Sequence, residues 1–158
     1  KVYPMLEKLL KKYPDQVNLI FIDRPFPDIH RWAIPASTAA QIAASHGKFW
    51  QMYDKLYTHQ DDLEPGFYDD YAAAIGINKA QFQTEFKNGA GSQAVAAASK
   101  FSDDLGILET PTIVLHDNAS GATTVYIGLN GASAGGPPAP GIMDLIAKPP
   151  WLAQAPKK

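Results

Sequence analysis

Four histidines are the side chains in this sequence that could bind a transition metal or act as bases near neutral pH. They are His30, His46, His59 and His116, and no two of them stand in the HxxxH or HExxH spacing that places metal ligands on one helical face. The chain has no cysteine, so neither a zinc–thiolate site nor a disulfide can form within it. We therefore predict no metal site and no cofactor, and we expect His30 to be a loop or capping residue.

A second candidate for chemistry is the segment LETPTIVLH, in which a proline stands at the mouth of an apolar strand. Pro111 lies between Thr110 and Thr112, ahead of Ile-Val-Leu. Proline cannot donate a hydrogen bond to a sheet ladder, so within sheets it is confined to edges, strand starts and bulges. The sequence predicts a strand at 111–115 and raises the question of what a proline contributes at its start.

The composition is that of one globular domain of ordinary size. The 158 residues are 46% hydrophobic and 19% charged, with a net charge of −2. Acids and bases are spread along the chain, so we expect no nucleic-acid partner, and no apolar run approaches the roughly 18 residues of a membrane span. The chain begins with Lys-Val-Tyr-Pro inside an amphipathic pattern, and we interpret this start as a cut that has removed an upstream segment.

Hydrophobic periodicity predicts which elements position these residues. The predicted order is a helix at 1–13, a strand at 17–23, a helical block at 32–106, strands at 111–115 and 123–129 that form a hairpin, and a short helix at 142–148. The strand at 17–23 is apolar on both faces, as in a sheet that helices cover on both sides. Such a strand needs a neighbour on each side, so the predicted sheet is one strand short.

Within the helical block, glycines and an asparagine mark the predicted helix ends. One long helix is expected to bend or restart near Gly47, and the next to begin near Pro65 and end at Gly76. Asn78 is the predicted N-cap of a third helix, and a fourth ends at Gly106.

This order resembles the thioredoxin fold with a helical insertion, as in the DsbA-like thiol–disulfide oxidoreductases, over nearly all of residues 1–147. Three stretches carry the resemblance. KVYPMLEKLLKKYPDQVNLIFIDRPFP is similar to the helix after the family's CxxC motif and the strand that follows it. IHRWAIPASTAAQIAASHGKFWQMYDKLYTHQ is similar to the start of the insertion, and LGILETPTIVL to the family's Gly-x-x-x-Thr-Pro-Thr segment. The implied fold class is α/β, a thioredoxin-like mixed sheet with an inserted helical subdomain.

The resemblance implies a domain organisation and a substrate-binding segment. The thioredoxin-like core comprises residues 1–31 and 107–148 and is incomplete at its N-terminus, 32–106 form the helical insertion, and 149–158 form a loose tail. By the same resemblance Pro111 is the family's cis proline, and Thr110 is the residue whose backbone pairs with an incoming peptide. This implied role answers the question that the proline raises.

The family's catalytic cysteines are missing from this chain. The chemistry needs a CxxC motif at the N-terminus of the first helix, where the helix dipole stabilises a thiolate. If Pro4 is the helix proline that commonly lies five residues after the second cysteine, that cysteine falls two positions before Lys1. We therefore expect the catalytic cysteines upstream of Lys1 and no catalytic residue within the chain, which by itself is predicted to be redox-inactive.

The resemblance implies that the chain is the larger part of a DsbA-like oxidoreductase in the periplasm or another extracytoplasmic compartment. Its partners would be protein or peptide thiols and disulfides and a redox partner protein. One alternative is a cysteine-free thioredoxin-like domain that binds peptides or partners without redox chemistry. Another is a glutathione-dependent isomerase or transferase of the same fold, which would need a serine or cysteine at the start of the first helix.

Overall fold

Seven α-helices, a 3₁₀ turn and two β-strands make up the part of the chain that this computed structural model describes, residues 2–131, 140–147 and 149. The helices are α1 (Tyr3–Lys12), α2 (Ala33–Ser45), α3 (Phe49–Thr58), α4 (Tyr68–Ala74), α5 (Lys79–Lys87), α6 (Ser92–Asp104) and α7 (Ile142–Ala147). The strands are β1 (Thr112–His116) and β2 (Thr123–Ile127), and the 3₁₀ turn is Pro65–Phe67. Two compact units result, one from residues 1–20 and 107–158 and the other from residues 21–106.

The unit of residues 21–106 is helical and is built around the alanine-rich α2. Ala39, Ile42 and Ala43 are almost completely buried. The two alanines are small, which lets neighbouring helices approach closely. α2 contacts α3, α5 and α6. Larger buried side chains complete this core: Met52, Leu56, Tyr68, Ile77 and Phe82.

The predicted helix ends in this unit are confirmed. The predicted long helix is two helices, α2 and α3, separated at Gly47, whose φ of +68° favours glycine. Gly76 has a φ of +86° just after α4, as expected for a C-cap glycine. The Asn78 side chain accepts a hydrogen bond of 3.0 Å from the Gln81 N–H and so caps α5.

The unit of residues 1–20 and 107–158 contains the predicted hairpin. β1 and β2 pair antiparallel, with Thr112 opposite Ile127 and His116 opposite Thr123. The buried side chains Tyr126, Ile142 and Leu145 cover one face of this hairpin. Partly buried apolar residues pack against them: Val2, Ile113, Leu115 and Ile146.

Residues 17–23 do not form the predicted β-strand. They lie in neither a helix nor a strand, and Ile20 and Ile22 are 83% and 42% exposed. The sheet of the described residues is small and antiparallel, so the parallel neighbour expected for a mixed sheet is absent from it. The reason is that apolar alternation cannot hold a strand unless its backbone groups find a ladder partner.

The predicted loose tail at 149–158 lies almost entirely outside the described residues, as do residues 132–139 between β2 and α7. None of the described helices is both long enough and apolar enough to cross a membrane.

Candidate functional site

The segment that precedes β1 has the conformation that the resemblance implies. The Thr110–Pro111 peptide bond is cis, which confirms that prediction. Pro111 stands immediately before β1, so its missing N–H does not interrupt the ladder. Its carbonyl still accepts a hydrogen bond of 2.8 Å from the Gly128 N–H, which ties the proline to the residue after β2.

A side-chain hydrogen bond closes this segment around the proline. The Thr112 hydroxyl donates to the Glu109 carbonyl at 2.7 Å, in a partly buried position. Thr110, between the two, is exposed, and its backbone makes no hydrogen bond with another described residue. An exposed backbone N–H and C=O next to a strand can pair with an extended peptide. The geometry is therefore compatible with the peptide-pairing role implied for Thr110.

The outer edge of β1, on the side away from β2, meets no strand of the described residues. The Gly128 N–H donates to the Pro111 carbonyl and the Asp117 N–H to the Ala122 carbonyl, so both are hydrogen-bonded pairs of the antiparallel ladder. Hydrogen-bonded and non-hydrogen-bonded pairs alternate along such a ladder, so the backbone groups of Thr112 and Val114 point away from β2. The structure describes no strand on that side. The Val114 side chain is 51% exposed. Such an edge is a template for a further strand.

Helix α1 begins next to the core of the hairpin. Pro4 lies in its first turn, where a missing N–H is tolerated, and that turn contains no acidic residue. Val2, just before α1, packs against the same buried cluster as Ile113, two residues after Pro111. The structure thus brings the start of α1 and the start of β1 to one core. We predict that Pro111 itself lies beside the N-terminal end of α1.

The histidines take part in separate local contacts. A ring nitrogen of His46 lies 2.8 Å from the Glu85 carboxylate, and Nδ1 of His116 lies 3.0 Å from the Thr123 hydroxyl. His30 is exposed in a loop, as predicted, and its carbonyl accepts a hydrogen bond from the Ala33 N–H. No group of three or more histidine, aspartate or glutamate side chains suited to a metal ion occurs among the described residues.

A buried polar contact that the sequence did not reveal holds residues 21–24 in the helical unit. Asp23 is 3% exposed, and one of its carboxylate oxygens accepts a hydrogen bond of 2.7 Å from the Gln41 amide. Burial and the charge of Asp23 raise the pKa of the Tyr57 phenol. Arg24 forms a 2.6 Å ion pair with Asp103. Helices α2, α3 and α6 therefore hold this segment in place of a strand ladder.

The ring of Phe21 joins this segment to an aromatic cluster on α3. Its centroid lies 5.1 Å from that of Tyr53 and 5.9 Å from that of Phe49. Trp50 extends the cluster outward and is 45% exposed. Tyr53 is buried whereas Trp50 and Tyr57 are exposed, so the aromatic residues of α3 form part of the core and part of the rim of the helical unit. Phe21 stands in an alternating apolar pattern that is typical of a strand. For that reason the sequence did not indicate its contact with the aromatic residues of α3.

Thr112→Val is expected to loosen the turn before β1. Valine keeps the shape of threonine but cannot donate to the Glu109 carbonyl, so the free energy of unfolding should fall by about 1 kcal/mol. Denaturant unfolding measures this, and hydrogen exchange of residues 109–113 reports whether the loss is local. Thr112→Ser keeps the hydroxyl and is the control. Equal stability of the valine and serine variants would show that the bond does not hold the turn.

A family comparison places this geometry in a known class. The sequence profile of the thioredoxin family matches residues 1–126, well over half of the chain. The chain therefore belongs to the thioredoxin family. Its helices and small antiparallel sheet are those of a thioredoxin-like α/β fold, as the sequence predicted.

The chain is similar to parts of much longer curated proteins. It is 30% identical to the Na⁺/H⁺ antiporter NhaA 3 of Salinispora tropica over 113 residues, which are 72% of this chain and 17% of the antiporter. It is 32% identical to the Na⁺/H⁺ antiporter NhaA 1 of Mycolicibacterium gilvum over 103 residues, 63% of this chain and 17% of the antiporter. The match thus spans about a sixth of the length of these relatives. No solved structure is significantly similar to the chain.

Proposed function

We propose that this chain is the larger part of a DsbA-like protein thiol–disulfide oxidoreductase whose CxxC pair precedes Lys1. The observation that carries the proposal is the thioredoxin-family match over residues 1–126, which includes the Thr-Pro-Thr segment before β1. The exposed backbone of Thr110 supports it, because a substrate peptide can pair there. In the same proposal residues 1–31 and 107–148 form the thioredoxin-like core, and 32–106 form its helical insertion.

Helix α1 suits the proposed chemistry. A thiolate at the start of a helix is stabilised by the helix dipole, and an acidic residue in the first turn would oppose that effect. In the proposal that helix begins at the cysteine pair and continues as α1, whose first described turn carries no acidic residue. The thiolate would attack a substrate disulfide, release one substrate thiol and form a mixed disulfide. The second cysteine would then displace the other substrate sulfur and leave an enzyme disulfide.

The proposal includes substrates, a partner and a location. Substrates are proteins or peptides with thiols or disulfides, and a redox partner protein regenerates the active-site pair. The compartment is the periplasm or another extracytoplasmic space, where disulfides persist. Fractionation of cells that produce the natural protein tests the location, and recovery with cytoplasmic markers alone would refute it.

The 158-residue chain is expected to reduce insulin at the uncatalysed rate, because its only sulfur atoms belong to methionines. Adding a β-strand and a CxxC motif upstream, with the second cysteine two positions before Lys1, is expected to produce catalysis above that rate. The insulin turbidity assay with a dithiol reductant measures both.

The control is the same extension with both cysteines replaced by serine, which keeps the added strand and removes the nucleophile. Catalysis by the cysteine form alone supports the proposal. A folded cysteine form no faster than the serine form would contradict it, as would catalysis by the unextended chain.

The antiporter relatives favour a second candidate function. The similar region is only a sixth of proteins named as Na⁺/H⁺ antiporters, which supports a comparison with one domain of a larger protein. In this candidate it is a thioredoxin-like domain that binds a peptide or partner without redox chemistry. Such a domain would bind extended peptides at Thr110 equally well in the cysteine and serine forms and would catalyse no exchange. The glutathione-dependent enzyme would instead show activity only with added glutathione.

A further inference from the structure

The segment that leads into the cis proline carries an exposed leucine. Leu108 is 83% exposed, and no large apolar side chain of the described residues is more exposed. Thr110 and Pro111, which follow it, are exposed as well. The leucine side chain and the proline ring thus present apolar surface before and after the backbone groups that are proposed to pair with a peptide.

The turn after this leucine is held in place by two hydrogen bonds. The Thr112 hydroxyl donates to the Glu109 carbonyl at 2.7 Å, and the Gly128 N–H donates to the Pro111 carbonyl at 2.8 Å. Leu108 lies just before these tied residues and belongs to the same compact unit. A peptide at this segment therefore meets a largely fixed backbone, so less conformational entropy is lost when it binds.

Leu108 is close enough to Thr110 to touch a peptide that pairs there. Two residues of chain span at most about 7 Å, and paired strands lie about 4.8 Å apart. Side chains on paired strands contact the residue directly opposite and, when they are long, its diagonal neighbours. A peptide residue one or two places from the residue paired with Thr110 is thus within reach of the Leu108 side chain.

The leucine side chain recognises a partner only through burial. It has no hydrogen-bonding group, so it gains free energy only when apolar surface covers it. A polar peptide residue at that place would lose hydration without gaining a hydrogen bond. Bulky apolar side chains are among those most often fully buried in folded proteins, so a substrate presents them best from an unfolded segment.

We infer that Leu108 is a specificity residue that selects an extended peptide segment with a bulky apolar side chain. That side chain lies within two residues of the position that pairs with Thr110. The inference rests on the proposed function, in the part that assigns peptide pairing to Thr110, and it adds what the paired segment must contain. It does not require the cysteine pair, because binding of the segment precedes any exchange step.

Titration of the 158-residue chain with two cysteine-free peptides tests the inference, with the amide shifts of residues 108–114 followed by NMR. The probes are acetyl-Gly-Ser-Gly-Phe-Gly-Ser-Gly-amide and the same peptide with serine in place of phenylalanine. Both are expected to shift Thr110, and the phenylalanine peptide is expected to bind about tenfold more tightly because its ring is partly buried against Leu108.

Three variants make the test specific. Leu108→Ser should stay folded, since the side chain is exposed, and should bind both peptides equally. Leu108→Met keeps an apolar side chain and should retain most of the preference for phenylalanine. Ile20→Ser is the matched control and should keep the full preference, because Ile20 is also 83% exposed but lies outside the segment before Pro111.

The outcomes distinguish this inference from the proposed redox function. Absence of shifts at Thr110, equal binding of both peptides by the unmodified chain, or a preference that survives in Leu108→Ser would overturn the inference. Any of these results would do so even if the cysteine-extended form reduced insulin. An inactive cysteine-extended form, together with a preference that depends on Leu108, would instead refute the redox function and support the inference.

Discussion

A chain extended upstream by one β-strand rich in valine, isoleucine and phenylalanine is expected to be more stable than the 158-residue chain by about 3 kcal/mol. The outer edge of β1 has no neighbouring strand among the described residues, and the backbone groups of Thr112 and Val114 point toward it. A strand there would add ladder hydrogen bonds and place a cross-strand neighbour beside the Val114 side chain, which is 51% exposed. The entropy of ordering the added residues offsets much of that gain.

Thermal unfolding measures the effect, and 3 kcal/mol corresponds to a rise of about 10 °C for a chain of this length. The control is a glycine- and serine-rich extension of equal length, which adds the same number of residues without strand propensity. Hydrogen exchange at Val114 gives a local readout, since its amide should become protected only in the strand-forming chain. Equal midpoints for the two extensions, with Val114 unprotected in both, would show that β1 does not accept a further strand.

Gly141→Ala is expected to destabilise the unit of residues 1–20 and 107–158 by about 3 kcal/mol. A Cβ at Gly141 would lie 2.5 Å from backbone atoms of Leu129, Asn130 and Gly131, closer than real Cβ atoms approach. Because the clash is with backbone, no side-chain rotation can relieve it, and overpacking of this kind is costly. The start of α7 or the turn after β2 must move.

Moving either element breaks hydrogen bonds that join them. The N–H groups of Ile142 and Met143 donate to the carbonyls of Gly128 and Leu129, both at 3.0 Å. Circular dichroism during denaturant unfolding measures the loss. Gly66→Ala is the matched control, because nothing lies within 4 Å of its added Cβ and its stability should change by less than about 1 kcal/mol. A Gly141→Ala chain as stable as the Gly66→Ala chain would show that the contact relaxes at little cost.

Local sequence signals predicted most of the elements correctly. Helical periodicity located the helical block. The types of residue at its helix ends have a physical explanation. Gly47 and Gly76 adopt positive φ, which glycine tolerates best, and Asn78 has a side chain that can replace a missing helical acceptor. The hairpin followed from alternation on both sides of a turn, because a period of two is specific to strands.

The candidate site was predictable only through the resemblance. The peptide-pairing role proposed for Thr110 has no local signal in residues 109–112, and most bonds that precede proline are trans. The Gly-x-x-x-Thr-Pro-Thr pattern pointed to Pro111, and the structure adds the hydrogen bond from Thr112 to Glu109 that closes the segment.

Tertiary structure decided the course of residues 17–23. Their sequence alternates as a strand does, but strand formation requires hydrogen bonds from another segment, which no local pattern supplies. Helical neighbours instead hold the far end of this segment, through Asp23 with Gln41 and Phe21 with Tyr53. The sequence by itself thus determined the helices, the hairpin and the thioredoxin family, because those depend on short-range patterns and motif order. Only the tertiary structure decided which apolar segments find partners, because pairing and burial depend on residues far apart in the chain.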